Sequence, residues 1–256
     1  MYETAHKFRD TLRSGRVCLG PSITLSDIAV TEALGPTVDF VWIDLEHNPT
    51  GLESMFGHLI AARATDTMAI VRVPSSEKSI VKRVLDVGAP GIIVPQVTSA
   101  EEVRNFVREC RYAPQGLRGY GPRRSTNYGR NTGGDYLKAA NRGVFTIAQI
   151  ERVAAVRELD EILAIDELDS IVLGPNDLAH DMGYPGNEFN DETRKTMEEI
   201  TAKALKAGKF VGAGSDHVEW AAGAGIQWIQ PGGDVSYMVS KCEEYYASLR
   251  GALGVK

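Results

Sequence analysis

Short apolar runs alternate with longer amphipathic segments along nearly the whole chain. Short apolar runs are typical of buried strands, whereas segments with apolar residues three to four positions apart are typical of helices. After a helix at residues 3–14, the pattern predicts eight strands, each followed by a helix. The predicted strands are residues 16–20, 39–45, 68–73, 91–95, 144–150, 170–174, 209–213 and 226–230.

The predicted helices complete a regular order of strand and helix. They cover residues 26–34, 52–65, 77–87, 99–110, 135–141, 154–164, 193–207, 218–222 and 235–249. Eight strand–helix pairs in 256 residues predict an α/β fold, a (β/α)8 TIM barrel formed as a single domain over residues 1–256. An open doubly wound sheet is the alternative, but no GxGxxG loop follows the first strand.

A glycine- and arginine-rich segment interrupts the alternation at residues 112–134. Loops of this length inside a compact domain are usually functional or mobile. An ordinary surface excursion is the alternative interpretation. The sequence alone therefore leaves both interpretations of this segment open.

Composition narrows the classes of function. A formal net charge of −6 argues against nucleic acid as the main partner, because phosphate binding needs a basic surface. No apolar run is long enough for a membrane span, and the N-terminal residues lack the layout of a signal peptide.

Cys18, Cys110 and Cys242 are scattered and form no disulfide framework or zinc motif. We expect a protein of the reducing cytoplasm.

Polar residues follow several of the predicted strands directly. In a TIM barrel the carboxyl ends of all strands surround one mouth, where active sites form. Candidate residues at these ends are Asp44, Glu46, His47, Arg72, Gln96, Gln149, Glu151, Gly174, Pro175, Asn176 and Asp177. Catalytic chemistry is therefore predicted at this end of the barrel.

Two carboxylates from neighbouring strands, Glu151 and Asp177, would repel each other at this mouth unless a cation lies between them. The cation is either Arg72, which would make a structural ion pair, or a divalent metal. A site of two carboxylates, water and ligand oxygens suits Mg²⁺ or Mn²⁺ better than Zn²⁺. Gln149 and Glu151 are two residues apart, so both lie on one face of their strand.

His47 is the only histidine at a predicted strand end, and its position favours a role as proton shuttle. Arg72 offers a planar fork of donors that suits a carboxylate or an enolate oxygen, or else stabilises a buried carboxylate. No lysine lies at a strand end, which disfavours catalysis through a covalent imine.

The chain resembles the HpcH/HpaI aldolases over nearly its whole length. Each motif alone is weak, and it is their common order and spacing that is specific. The motifs are Ile43-Asp44-Leu45-Glu46-His47, Val71-Arg72-Val73-Pro74, Leu85-Asp86-Val87-Gly88-Ala89, Val94-Pro95-Gln96-Val97, Arg111-Tyr112-Ala113-Pro114, Gln149-Ile150-Glu151 and Gly174-Pro175-Asn176-Asp177-Leu178.

The resemblance implies a role for each matching residue. Glu151 and Asp177 look like the ligands of a divalent metal, Mg²⁺ or Mn²⁺, with Co²⁺ as a further option. Arg72 looks like the group that holds the keto-acid oxygen and stabilises the pyruvate enolate. His47 looks like part of the acid/base apparatus, with Asp44 orienting it or a water.

The remaining matches resemble the substrate-binding part of the family's site. Gln149 looks like a supporting polar residue, and Gly174, Pro175 and Asn176 resemble a cradle for the pyruvate carboxylate. The implied enzyme is a carbon–carbon lyase, a metal-dependent class II aldolase. It would cleave a 4-hydroxy-2-oxoacid, such as a 2-keto-3-deoxy sugar acid, to pyruvate and an aldehyde through a metal-stabilised enolate.

The resemblance also implies partners and leaves alternatives open. Family members are typically homohexamers, and the last helix can be exchanged between subunits. The expected ligands are a keto acid and an aldehyde, with no nucleic acid and no membrane. An oxaloacetate decarboxylase similar to macrophomate synthase could use the same enolate site. A lyase acting on a CoA thioester is less favoured, and a barrel that only binds a keto acid remains a minor option.

Overall fold

A parallel β-sheet forms the centre of the molecule in a computed structural model that describes residues 1–255. Its strands are β1 (Cys18–Leu19), β2 (Ser22–Ile23), β3 (Phe40–Asp44), β4 (Met68–Arg72), β5 (Gly91–Val94), β6 (Phe145–Ile150), β7 (Ser170–Leu173), β8 (Phe210–Gly214) and β9 (Trp228–Gln230). All neighbouring strands are parallel, and from β2 to β9 their order in the sheet follows the chain. The alternating pattern of the sequence is thereby confirmed as an α/β fold.

The first predicted strand divides into β1 and β2 around Gly20-Pro21. This segment hydrogen-bonds to both edges of the sheet: the Gly20 N–H donates to the Ile229 carbonyl, and the Trp42 N–H donates to the Pro21 carbonyl. A Cβ at position 20 would lie 2.0 Å from the Phe40 carbonyl oxygen, so only glycine fits here. The sheet therefore curls until its edges meet, which gives a TIM-barrel-like fold.

The helices connect the strands as predicted, except that several ends differ and the predicted helix at residues 154–164 is divided in two at Glu158. They are α1 (Glu3–Arg13), α2 (Ala29–Leu34), α3 (Leu52–Ala64), α4 (Lys78–Asp86), α5 (Ala100–Cys110), α6 (Gly133–Gly143), α7 (Val153–Arg157), α8 (Leu159–Leu163), α9 (Pro175–Asp181), α10 (Asp191–Lys206), α11 (Val218–Gly223) and α12 (Asp234–Leu253). Helix α9 was not predicted, because a segment this short carries too little periodicity to distinguish it from a loop.

Alternate side chains of the strands point into the barrel and change character along its axis. Phe40 and Trp42 of β3, and Phe145 and Ile147 of β6, belong to one buried apolar cluster inside the sheet. The next side chains on the same faces are Asp44 on β3 and Gln149 on β6, as strand alternation requires. The interior is therefore apolar at its amino end and polar at its carboxyl end.

Helix α1 closes the amino end of the barrel. Phe8 packs edge-on against Phe40 and Phe145, with ring centroids 5.8 and 5.6 Å apart. Arg9 is also buried and donates to the Gly143 and Val144 carbonyls. Access to the polar end of the interior is thus left to the opposite face.

The segment at residues 112–134 is packed against the amino end of the barrel. Arg118 is buried and pairs with Asp86, while Arg124 donates to the Val87 and Leu59 carbonyls. These partners lie in or next to the last turn of α4 and on α3, away from the strand ends at the mouth. This segment is therefore an anchored connection at the amino end of the barrel rather than a loop over its carboxyl end.

Helix α12 projects from the barrel with an apolar surface. Val235, Tyr237, Met238, Val239 and Tyr246 are all exposed, and Asp234 is the only residue of the helix that is buried. Among the residues described, no helix combines the length and apolarity that a membrane crossing requires. The exposed face of α12 is thus a feature that this single chain leaves uncovered.

Candidate active site

The predicted site residues line one cavity of about 190 Å³ at the carboxyl end of the barrel. Strand ends from opposite sides of the sheet contribute to its wall, as the fold requires. The predicted residues among its lining are Asp44, His47, Arg72, Gln149, Glu151, Gly174, Pro175, Asn176 and Asp177. The structure therefore brings together residues that are up to 133 positions apart in sequence.

Arg72 is held at the base of this cavity by two carboxylates. Its Nε and Nη2 atoms each donate to one oxygen of Asp44, both at 2.8 Å, and Nη1 lies 3.1 Å from Glu46 Oε2. The guanidinium carbon also lies 5.2 Å from the centre of the Trp42 ring. Asp44 and Arg72 are opposite each other in the register of β3 and β4. Burial alone would raise the pKa of Asp44, but the hydrogen bonds and positive charge of Arg72, together with the hydrogen bond from the Glu46 N–H, lower it overall.

His47 lies at the rim of the cavity and is exposed to solvent. Its Nε2 atom is 3.7 Å from Glu46 Oε2. The Asp44 carboxylate is instead occupied by Arg72, by the Asn48 amide and by the Glu46 N–H. Glu46 is therefore the carboxylate next to His47 in this structure, whereas Asp44 orients Arg72.

Glu151 is completely buried, and both of its carboxylate oxygens accept hydrogen bonds. The Gln96 N–H donates to Oε1 at 2.7 Å, and the Gln149 amide donates to Oε2. Gln96 has a φ of 54°, and this left-handed conformation helps to aim its N–H at the carboxylate. Burial, with the negative charges of Asp177 and Glu46, raises the pKa of Glu151 to about 7 although the Gln96 hydrogen bond lowers it.

The donor set around Glu151 fits a hard divalent cation. Gln149 Oε1 is buried and accepts no hydrogen bond within residues 1–255, so an amide oxygen is free beside the carboxylates of Glu151 and Asp177. Oxygen donors of this kind suit Mg²⁺ or Mn²⁺. No group of three or more His, Cys, Asp or Glu side chains in the described chain is arranged to hold a metal alone. Water and substrate oxygens would have to complete the coordination.

Position 174 requires glycine because the side chains of Glu151 and Gln149 lie directly against its backbone. A Cβ there would lie 2.3 Å from Glu151 Oε2 and 2.9 Å from Gln149 Nε2. Any side chain would displace the buried carboxylate, because such distances are far below contact. Helix α9 starts at the next residue, so Asp177 is carried in its first turn.

Five residues of the cavity wall were not predicted from the sequence. They are Ser22, Trp42, Leu173, Gly214 and Gln230. Gly214 and Gln230 lie at the carboxyl ends of β8 and β9, so the strand-end rule identifies them once it is applied to those strands, whereas Ser22 begins β2, which was not predicted as a separate strand. Trp42 precedes Asp44 by two positions and is found by strand alternation.

Comparisons with known proteins show which sequences and folds this chain resembles. A model of the HpcH/HpaI aldolase/citrate lyase family matches residues 25–240. A hydroxypyruvate/pyruvate aldolase of Agrobacterium fabrum is 35% identical over 209 residues, which are 81% of this chain and 78% of that protein. A 5-keto-4-deoxy-D-glucarate aldolase of Klebsiella pneumoniae is 32% identical over 80% of both chains. The crystal structure of macrophomate synthase superposes with a TM-score of 0.85 at 28% identity, over 96% of this chain and 89% of that one.

Proposed function

The chain belongs to the HpcH/HpaI aldolase/citrate lyase family, and we propose that it is an aldolase that reversibly cleaves a 4-hydroxy-2-oxoacid to pyruvate and an aldehyde. A keto-deoxy sugar acid is a substrate of this class, and it is the type named for a relative. One observation carries the proposal. The cavity combines a rigidly held arginine with two carboxylates, the buried Glu151 and the half-buried Asp177, and these are the charged groups that enolate chemistry on a keto acid requires.

We place the divalent metal between Glu151 and Asp177, with Mg²⁺ or Mn²⁺ as the preferred ion and Co²⁺ as an alternative. Burial and the negative charge of Asp177 raise the pKa of both Glu151 and Glu46, and Arg72 is the only Lys or Arg side chain among the described residues that line the cavity. A divalent ion would offset this excess of negative charge. When bound, it would withdraw electrons from the keto acid and acidify the protons of the methyl group.

The chain's own residues bind and orient the keto acid in this proposal. Backbone N–H groups of the first helical turn have no intrahelical acceptor, so Asn176 and Asp177 can donate to the carboxylate. Gln149 supports the keto group from inside the barrel. Arg72 places fixed positive charge where the oxyanion of the enolate develops, and its geometry is already set by Asp44 and Glu46.

His47 Nε2 carries the proton in both directions of the reaction. In cleavage, His47 accepts the proton of the 4-hydroxyl and the C3–C4 bond breaks. The electron pair of that bond forms the enolate of pyruvate, and the aldehyde leaves. The enolate carbon then takes a proton, which gives pyruvate. The Glu46 carboxylate 3.7 Å away stabilises the protonated imidazole between these two events.

Pyruvate release from a panel of 4-hydroxy-2-oxoacids tests the proposal directly. We expect turnover with Mn²⁺ or Mg²⁺, at least a hundredfold loss after treatment with EDTA, and recovery when the ion is added back. Full activity in EDTA would contradict the role of the metal. Keto-acid binding by calorimetry without any turnover across the panel would favour a barrel that only binds.

Oxaloacetate decarboxylation is a second candidate, favoured by the structural similarity to macrophomate synthase. Loss of CO₂ from oxaloacetate leaves the same pyruvate enolate, so the same residues would serve. The ratio of the two activities separates the candidates. A decarboxylase would process oxaloacetate efficiently and leave every 4-hydroxy-2-oxoacid uncleaved.

We propose that α12 packs on a second subunit, with a homohexamer as the assembly and the reducing cytoplasm as the compartment. The apolar face of α12 supports this, since single chains rarely leave such a surface uncovered. Replacing exposed Met238 and Tyr246 with Asp should dissociate the assembly to smaller species, as measured by light scattering after gel filtration. Glu243→Gln on the same helix is the matched control. A native mass that is unchanged in the double variant would contradict the exchange of α12.

A further inference from the structure

A second cavity of about 220 Å³ adjoins the active-site cavity. The two cavities share Pro175, Asn176, Gly214 and Gln230 as a common wall. Beyond this wall the second cavity is lined mainly by Glu188, Phe189, Ser215, Asp216 and His217. None of these five residues lines the first cavity. The cavity therefore extends the site beyond the part that the keto acid needs.

The wall of this second cavity is preformed. The His217 ring stacks on Phe189, with centroids 3.6 Å apart and planes within 16°. Trp220 contacts Phe189 edge-on at 5.1 Å, and its Nε1 donates to Glu198 at 2.8 Å. Stacked and hydrogen-bonded rings have few alternative rotamers. The imidazole thus has a fixed place at the cavity surface.

The negative charge of the second cavity determines which ligand groups it can bind. Glu188 and Asp216 line it, no Lys or Arg does, and the His217 Nε2 lies 3.6 Å from Asp216 Oδ1. A ligand carboxylate would meet two like charges, which is unfavourable. Hydroxyl groups, in contrast, can donate to both carboxylates and to the imidazole.

We infer that this second cavity is the acceptor subsite, which binds the hydroxylated carbon chain of a neutral aldehyde. The inference rests on the proposed aldolase function and deepens it. When C3 of pyruvate forms its bond to the aldehyde carbon in the first cavity, the carbons beyond it extend over Gly214 and Gln230 of the shared wall, because the Asn176 part is occupied by the substrate carboxylate. His217, Asp216 and Glu188 then bind their hydroxyl groups and exclude aldehydes that end in a carboxylate.

Aldol synthesis from pyruvate with two aldehydes tests this assignment. The wild-type protein should prefer D-glyceraldehyde to succinic semialdehyde by roughly tenfold or more in kcat/KM. The double variant Glu188→Gln, Asp216→Asn should reduce that preference about three- to tenfold, a modest change because Asp216 is exposed and its charge is screened. His217→Ala should raise the KM for D-glyceraldehyde more than it lowers kcat.

The matched control is Glu219→Gln, which removes one negative charge three residues from Asp216 and does not line the cavity. Its aldehyde preference should equal that of the wild-type protein. Equal kcat/KM for both aldehydes in the wild type, or a preference that the cavity variants leave unchanged, would overturn the inference.

Deuterium exchange separates this failure from failure of the proposed function. In D₂O with Mn²⁺, an enzyme that forms the enolate replaces the methyl protons of pyruvate with deuterium without any aldehyde. Exchange together with an unchanged aldehyde preference would refute the acceptor subsite alone. Absence of both exchange and aldol product in the wild-type protein would refute the aldolase function and the subsite with it.

Discussion

Arg72→Lys should lower kcat/KM for aldol cleavage by about 10²- to 10³-fold, the effect that loss of one preorganised oxyanion donor has in other enzymes. Lysine keeps the charge but cannot donate from a planar fork to both oxygens of Asp44 while also facing the substrate. The charge would therefore lose its fixed position, and the enolate would lose stabilisation. Steady-state kinetics of pyruvate release measure the change.

Arg72→Ala is a less useful variant, because it leaves Asp44 and Glu46 without their buried cation. Breaking such a pair commonly costs about 3–5 kcal/mol of stability, and the loss of activity could then follow from unfolding. Thermal unfolding of Arg72→Lys should be recorded beside its kinetics. Arg83→Lys, at an exposed position of α4, is the matched control. Activity of Arg72→Lys within threefold of the wild type would remove the proposed role.

Glu151→Gln should abolish activity and yet stabilise the metal-free protein above pH 7. The pKa of Glu151 is raised from 4.5 to about 7, mainly by burial. Between these two pH values the folded metal-free protein therefore keeps a proton on Glu151 that the unfolded protein has released. This contribution to stability is complete below the ordinary pKa and is lost as the pH rises through 7. A neutral amide avoids the burial of charge at pH 8, where the gain should be about 3 kcal/mol.

Thermal unfolding at pH 5 and pH 8 measures this effect. Without metal, Glu151→Gln should unfold at a higher temperature than the wild type at pH 8 and at nearly the same temperature at pH 5. Saturating Mn²⁺ should reverse the order at pH 8, because the ion stabilises only a protein that binds it. Glu161→Gln on the surface of α8 is the control. A variant that binds Mn²⁺ as tightly as the wild type would contradict the assignment of Glu151 as a ligand.

Local sequence patterns were sufficient for the fold class and for most of the site. The period-two alternation of β6 puts Gln149 and Glu151 on the face that Phe145 and Ile147 share, and the structure confirms this arrangement. Strand ends could be located to within two residues for every predicted strand except the first, which divides into β1 and β2, and parallel strands direct those ends to one mouth. For this reason the sequence predicts that strand-end residues as far apart as Asp44 and Asp177 lie at a single cavity.

Side-chain partners could not be predicted in the same way. The sequence places Asp44 three residues from His47, whereas the register of β3 and β4 places it opposite Arg72. Spacing along the chain says nothing about which residue a neighbouring strand brings alongside. The 112–134 segment is a similar case, because composition marked it as unusual but could not tell which end of the barrel it covers.

The sequence by itself determined the alternating α/β architecture, the strand ends and the residue types at the mouth, since these depend on periodicity and chain order. The tertiary structure alone decided that Gly20 lets the sheet curl closed and that Asp44 holds Arg72 rather than His47. It also decided that Glu188 and His217 stand beside the active site. These features depend on distances between segments far apart in the chain, which packing and strand register fix and local pattern does not.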